Sequence, residues 1–173
     1  MLCDLSSPPL PDAPAQHGVT NPQTGHTHRC NAAMPLHWVS TAAAFSSSGG
    51  LVSGDGLAEL IHQHCGMAVG WPETETVALV ARWITTRAVV SLRSPWGPLY
   101  PLFQFDLATA SVVEAMVPLL DELRPVFEDA ELALWFVTPN DWLGGAQPAL
   151  AMHQSLPAVL QAARADRFVA GGY

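Results

Sequence analysis

Between Leu99 and Pro148, apolar runs and chain breakers alternate in an order that leaves a fold few choices. Leu99-Tyr-Pro-Leu-Phe-Gln-Phe105 reads as a short strand, and Val89-Val-Ser-Leu-Arg93 as its partner across the turn Ser94-Pro-Trp-Gly-Pro98. Pro101 has no N–H for a ladder and sends its strand to an edge or a bulge. A lone hairpin is marginal in water, so Leu99, Phe103 and Phe105, alternating onto one face, must find helices to pack on. Gln104 falls on the opposite face.

The helices follow at once. Ser111 with Glu114 has the form of a capping box, and Val112, Val113, Met116, Leu119, Leu120 and Leu123 continue it at helical spacing, with a kink expected at Pro118. Glu128-Asp129 opens another helix, which turns Leu132, Trp135 and Phe136 inward and stops before Pro139. Asn140 is placed to cap a short turn carrying Trp142 and Leu143. Gly144 and Gly145 allow a tight corner, and Pro148 suits the first turn of a helix. A terminal helix from near Ser155 to Val169 has Leu156, Val159, Leu160 and Ala163 as its inner side.

Upstream, Ser53 caps a helix with Leu57, Leu60, Ile61 and His64 on one face and Gly66 at its end. After Trp71-Pro72 a second helix carries Glu73 and Glu75 at its positive end and Val77, Val80, Ala81, Ile84 and Ala88 in a stripe, with Leu79 and Trp83 as a second apolar face. Residues 1–48, rich in Pro, Ser, Thr, Ala and Gly, show no sustained period and are expected to form a disordered extension. Met34, followed by Pro35-Leu-His-Trp38, is a candidate start of translation beside Met1. The expected fold is mainly α with a small β-hairpin: a compact helical domain over residues 49–173, with its hairpin near 89–105, after a disordered N-terminal segment.

Charge narrows the function. Lysine is absent, and seven arginines face fifteen carboxylates for a net charge of −8. Phosphate backbones are held by clustered basic side chains, so nucleic acid is expected to bind weakly or only in a complex, and a basic protein is the better partner. With 13% charged residues, half the usual share of about 25%, the surface leaves room for a covering partner or a second copy of the chain. Cys3, Cys30 and Cys65 make no disulfide scaffold. No run matches a signal peptide or a membrane span, so a cytoplasmic protein that stays off membranes is expected.

Catalytic patterns are missing. His26, His28 and Cys30, and again His62, His64 and Cys65, sit close in sequence, but neither group has the spacing of a structural zinc site. On a helix His62 and His64 face different ways, and His64 reads as a core-face residue beside a small buried Cys65. Asp121, Glu122, Glu128, Asp129 and Glu131 read as helix-end and solvated-face charges. Gly49-Gly50 and Gly144-Gly145 lack the rest of a phosphate loop, and no nucleophile elbow is present. A protein without metal, cofactor or enzymatic activity is expected. The helices over 53–66 and 73–88 leave a helix-turn-helix open, although their connection is long and the second carries only Arg82 and Arg87 as basic residues.

From Pro101-Leu-Phe-Gln-Phe105 through Leu132–Asn140 and Leu143-Gly-Gly-Ala-Gln-Pro148 to the last helix, the order of landmarks resembles the C-terminal toxin-binding domain of the MbcA/ParS/Xre antitoxins. The resemblance covers residues of about 89–173. It implies a protein that binds and silences a toxin that consumes NAD or transfers ADP-ribose, its C-terminal tail covering the toxin's active site. Carried onto this chain, Arg164, Arg167, Phe168 and Tyr173 would meet the partner, while Phe103, Gln104, Phe105, Leu143, Gly144, Gly145 and Pro148 would be architectural. The helical DNA-binding region such antitoxins usually carry fits residues 51–88 poorly. A DNA-binding transcriptional regulator and a stand-alone protein-interaction module are the alternatives.

Overall fold

The computed structural model describes residues 36–66 and 70–172. Helix α1 (Leu36–Phe45) and a 3₁₀ turn (Ser46–Ser48) lead to β1 (Leu51–Ser53), α2 (Gly54–Ile61), a π turn (His62–Gly66) and α3 (Glu73–Thr85). Strands β2 (Leu92–Ser94) and β3 (Gly97–Pro101), a 3₁₀ turn (Leu102–Gln104), β4 (Phe105–Asp106) and β5 (Ser111–Val112) form the middle of the chain. The remainder is α4 (Met116–Leu123), α5 (Asp129–Val137), a 3₁₀ turn (Asp141–Leu143), α6 (Pro148–Ala151) and α7 (Leu156–Ala170). The fold is thus mainly α with a small antiparallel β element. The group His26, His28 and Cys30, the alternative start Met34, and Tyr173 lie outside the described residues.

The last part of the supposed extension belongs to the core. Residues 36–48 form α1 and its 3₁₀ turn, and Trp38 and Phe45 are buried among Val90, Leu119, Phe136 and their neighbours. Ala-Ala-Ala-Phe45 offers no charged stripe, which hid the helix from a periodicity argument: its outer side is Val39, Ser40 and Ala43, small or apolar rather than charged.

The sheet also departs from expectation. Its order is β1-β3-β2, so the strand ending in Pro101 is central rather than an edge. The ladder accommodates proline by position. Leu102 N donates to Gly50 O at 3.0 Å on the β1 side, and the pleat turns the nitrogen of Pro101 the other way, toward the line of β2. No main-chain donor exists there, and β2 stops short at Leu92. The carboxamide of Gln104 takes over. Its Oε1 accepts from Val90 N at 2.9 Å and its Nε2 donates to Val90 O at 2.9 Å, a side chain replacing a strand partner. Gln104 is therefore fully buried, not on an outer face.

The same 3₁₀ turn breaks the expected strand alternation. Phe103 and Phe105 go into different apolar clusters: Phe103 packs on Phe136 with ring centroids 4.9 Å apart, and Phe105 stacks on Trp83 at 5.5 Å. The first cluster joins α1, α4, α5 and α7; the second joins α2, α3 and the other side of the sheet through Leu57, Ile61, Val80 and Tyr100.

Local signals were kept or overridden for identifiable reasons. Ser53 caps α2 by accepting from Gly56 N at 3.1 Å, and Leu57, Ala58 and Ile61 are buried. His64 is exposed, its ring nitrogen bonded to Leu60 O at 2.8 Å, because the π turn rotates it off the core face; Cys65 is half-buried. In α3 the buried side is Thr76, Val80 and Trp83, while Val77 and Ile84 face outward, so the tryptophan outweighed the aliphatic stripe. Ala88 lies past the helix, after Arg87 in the left-handed region at φ 54°. Ser111 opens no helix: Ser111–Val112 pair with Phe105–Asp106, and α4 begins at Met116. Pro118 then falls in the first turn, where its missing N–H costs no helical bond and no kink is needed. Among the described residues no helix is long and apolar enough to cross a membrane.

Candidate functional site

The site is built on α7 and on the corner that launches it. Helix α5 starts with a reciprocal capping box between Glu128 and Glu131, buries Leu132, Ala133, Phe136 and Val137, and stops at Thr138 before Pro139. Asn140 then caps the 3₁₀ turn by accepting from Trp142 N at 2.9 Å. Gly144 and Gly145, at φ 64° and 86°, reverse the chain in the left-handed region that side chains with a Cβ resist. The corner closes on itself through Asn140 N to Ala146 O at 3.1 Å and Gly145 N to Asn140 O at 2.9 Å. Leu143 is half-buried against the core, and Pro148 is the buried first residue of α6.

Helix α7 is capped by Ser155, which accepts from Ala158 N at 3.4 Å, and it buries Val159, Ala162 and Ala163. Asp166 continues that inner line one turn further on. Three N–H groups converge on its carboxylate: Trp135 Nε1 at 2.8 Å and Asn140 Nδ2 at 2.7 Å on one oxygen, and Trp142 Nε1 at 3.1 Å on the other. Among the described residues no cation takes part. One carboxylate, met by two indoles and a carboxamide, ties the helix to α5 and to the corner.

At about 100° per residue, Arg164, Arg167, Phe168 and Gly171 share the side of α7 opposite Asp166. Glu122 of α4 reaches this side, half-buried, with one oxygen on Arg167 Nη1 at 3.0 Å and the other on Arg164 Nε at 3.4 Å. Together with Pro125 and Val126 these residues line an open groove of about 690 Å³. Phe168 is 63% exposed and Val169 71%, apolar side chains left in water at the end of a helix. Gly171 N on Arg167 O at 2.8 Å and Gly172 N on Val169 O at 3.4 Å close the helix end.

Of the residues expected to meet a partner, the structure therefore brings Arg164, Arg167 and Phe168 to one groove, while Tyr173 lies outside the described residues. The architectural set is split: Phe103, Gln104 and Phe105 hold the two clusters, and Leu143, Gly144, Gly145 and Pro148 form the corner. Sequence reasoning missed Glu122 as the bridge and Asp166 with Trp135 and Trp142 as the anchor. Glu122 lies 42 and 45 residues from its arginines, beyond any local pattern. Asp166 sits between alanine and arginine on a helix, where a solvated charge is the ordinary reading.

Away from this groove, burial raises the Tyr100 hydroxyl's pKa above its usual value. Asp106 is lowered by bonds from the Thr109 side chain and from the backbone of Ala108 and Thr109. Burial lowers the guanidinium of Arg124, against the pull of nearby Asp129. Among the described residues no three His, Cys, Asp or Glu side chains gather as a metal ion would need. No known protein family, curated protein or solved structure matches this chain at a significant level.

Proposed function

We propose that this chain is an antitoxin-like binding protein, not an enzyme, that neutralises a cognate toxin acting on NAD or transferring ADP-ribose, with the end of α7 and its tail covering the toxin's active site. The observation carrying this reading is the exposed Phe168 and Val169 beside Arg164 and Arg167, on a helix fixed from its other side by Asp166. Aromatic and arginine side chains are the types that dominate binding hot spots. A helix held rigid before docking loses less entropy when it docks. The landmarks that resemble the antitoxin domain serve the same purpose: the Phe-Gln-Phe105 turn sits in the core, and the Leu143–Pro148 corner sets where α7 runs. The DNA-binding alternative gains nothing from α3, whose first turn carries Glu73 and Glu75 where a recognition helix would approach phosphates.

The test is co-expression with the product of the adjacent gene, reading bacterial growth and cellular NAD. Growth arrest by that product alone, relieved by this chain and not by a chain lacking Arg167–Tyr173, is the expected result. A non-toxic neighbour that does not co-purify, or full rescue by the shortened chain, overturns the proposal.

A further inference from the structure

We infer that the partner segment filling the groove beside α7 is an acidic one, with a carboxylate that takes the arginines from Glu122 and an aliphatic neighbour resting on Phe168 and Val126. The inference rests on the reading that α7 is the docking element, and it goes further by naming what docks. Glu122 occupies the position such a carboxylate would take. It gives one oxygen to each guanidinium, at 3.0 and 3.4 Å, so neither arginine is gripped in the two-pronged way that suits a guanidinium best. Arg164 uses only Nε and Arg167 only Nη1. Their side chains are 64% and 46% exposed, against 20% for Glu122. Side chains this exposed, each with a single bond to Glu122, can be reached by an acceptor from outside.

Among the groove-lining residues two positive charges meet one negative, on a chain whose net charge is −8. A polyanion would be repelled by the whole molecule at distances where the groove is not yet felt. A short segment with a single carboxylate on an otherwise basic or neutral protein meets no such barrier. Pro125, Val126 and Phe168 supply an apolar wall next to the charges, which suits Leu or Ile beside the Asp or Glu. The surface acidity and the local basic groove thus select different things: the first favours a basic protein, the second an acidic spot on it.

A random heptapeptide library displayed on phage, panned against the full chain, tests the groove without knowledge of the partner. Peptides carrying Asp or Glu flanked by Leu or Ile are expected to be enriched. Made synthetically, they are expected to bind about tenfold more weakly to the Arg164→Gln/Arg167→Gln variant and to Phe168→Ser. Glu122→Gln, which removes the internal competitor, is expected to tighten binding about threefold. Enrichment of basic peptides, no enrichment, equal binding to the arginine variant, or weaker binding to Glu122→Gln overturns the inference. The growth assay separates the two ideas: rescue of growth by the Arg164→Gln/Arg167→Gln chain would sink the acidic-segment inference and leave the antitoxin reading standing, whereas groove-dependent acidic peptides without any rescue would do the reverse.

Discussion

Single side chains decide how the main chain is satisfied here. Gln104 pairs with both backbone groups of buried Val90, and Gln104→Leu would strand an N–H and a C=O in the core. Urea unfolding is expected to show a loss of about 2–4 kcal/mol. Asp166→Ala removes the common acceptor of Trp135, Asn140 and Trp142; the expected cost is about 2–3 kcal/mol, with amide exchange in the last two turns of α7 accelerated more than in α4. Asp106 gives a pH signature. Its folded pKa is depressed below 3.8 by bonds from Thr109 and Ala108, so its contribution is present above that value and is lost as pH falls through the folded-state pKa. Thermal melts of Asp106→Asn and the parent chain are therefore expected to differ at pH 7 and to converge as pH falls through the folded-state pKa.

At the scale of elements, α1 is the sharpest test. Phe45→Ala is expected to destabilise by about 3–5 kcal/mol in denaturant titration, as for a buried ring in any core, whereas an extension lying outside the core would lose almost nothing. Elements announced by caps and breakers were legible in the sequence: Ser53 before α2, Pro139 and Gly144-Gly145 around the corner, Ser155 before α7. Elements defined by strand pairing or by burial without a polar face were not. Ser111 and Glu114 have the form of a capping box, but pairing with Phe105–Asp106 kept Ser111 extended, and α1 lacked a polar stripe because its outer side carries Val39, Ser40 and Ala43 in place of charges. The site followed the same division. Arg164, Arg167 and Phe168 were named through the resemblance to the antitoxin domain, while Glu122, which bridges the two arginines, was invisible because only packing of α4 on α7 brings it there.

For the whole molecule, net charge and local groove act at different stages of an encounter. With a basic partner, association measured by stopped flow is expected to slow about tenfold between low and high salt, whereas substitutions at Arg164 or Arg167 act mainly on dissociation. The groove also has a history in time. One wall belongs to α4 and the stretch just after it, the other to α7, which buries Val159 and Ala163 against the cluster holding Leu119, Leu120 and Leu123. While the chain is still on the ribosome, α4 can meet α1 and α5 but lacks its cover of Val159 and Ala163 until α7 emerges. Core closure and groove formation are then one event, and a truncated translation product has neither a finished core nor a surface with which to occupy the partner.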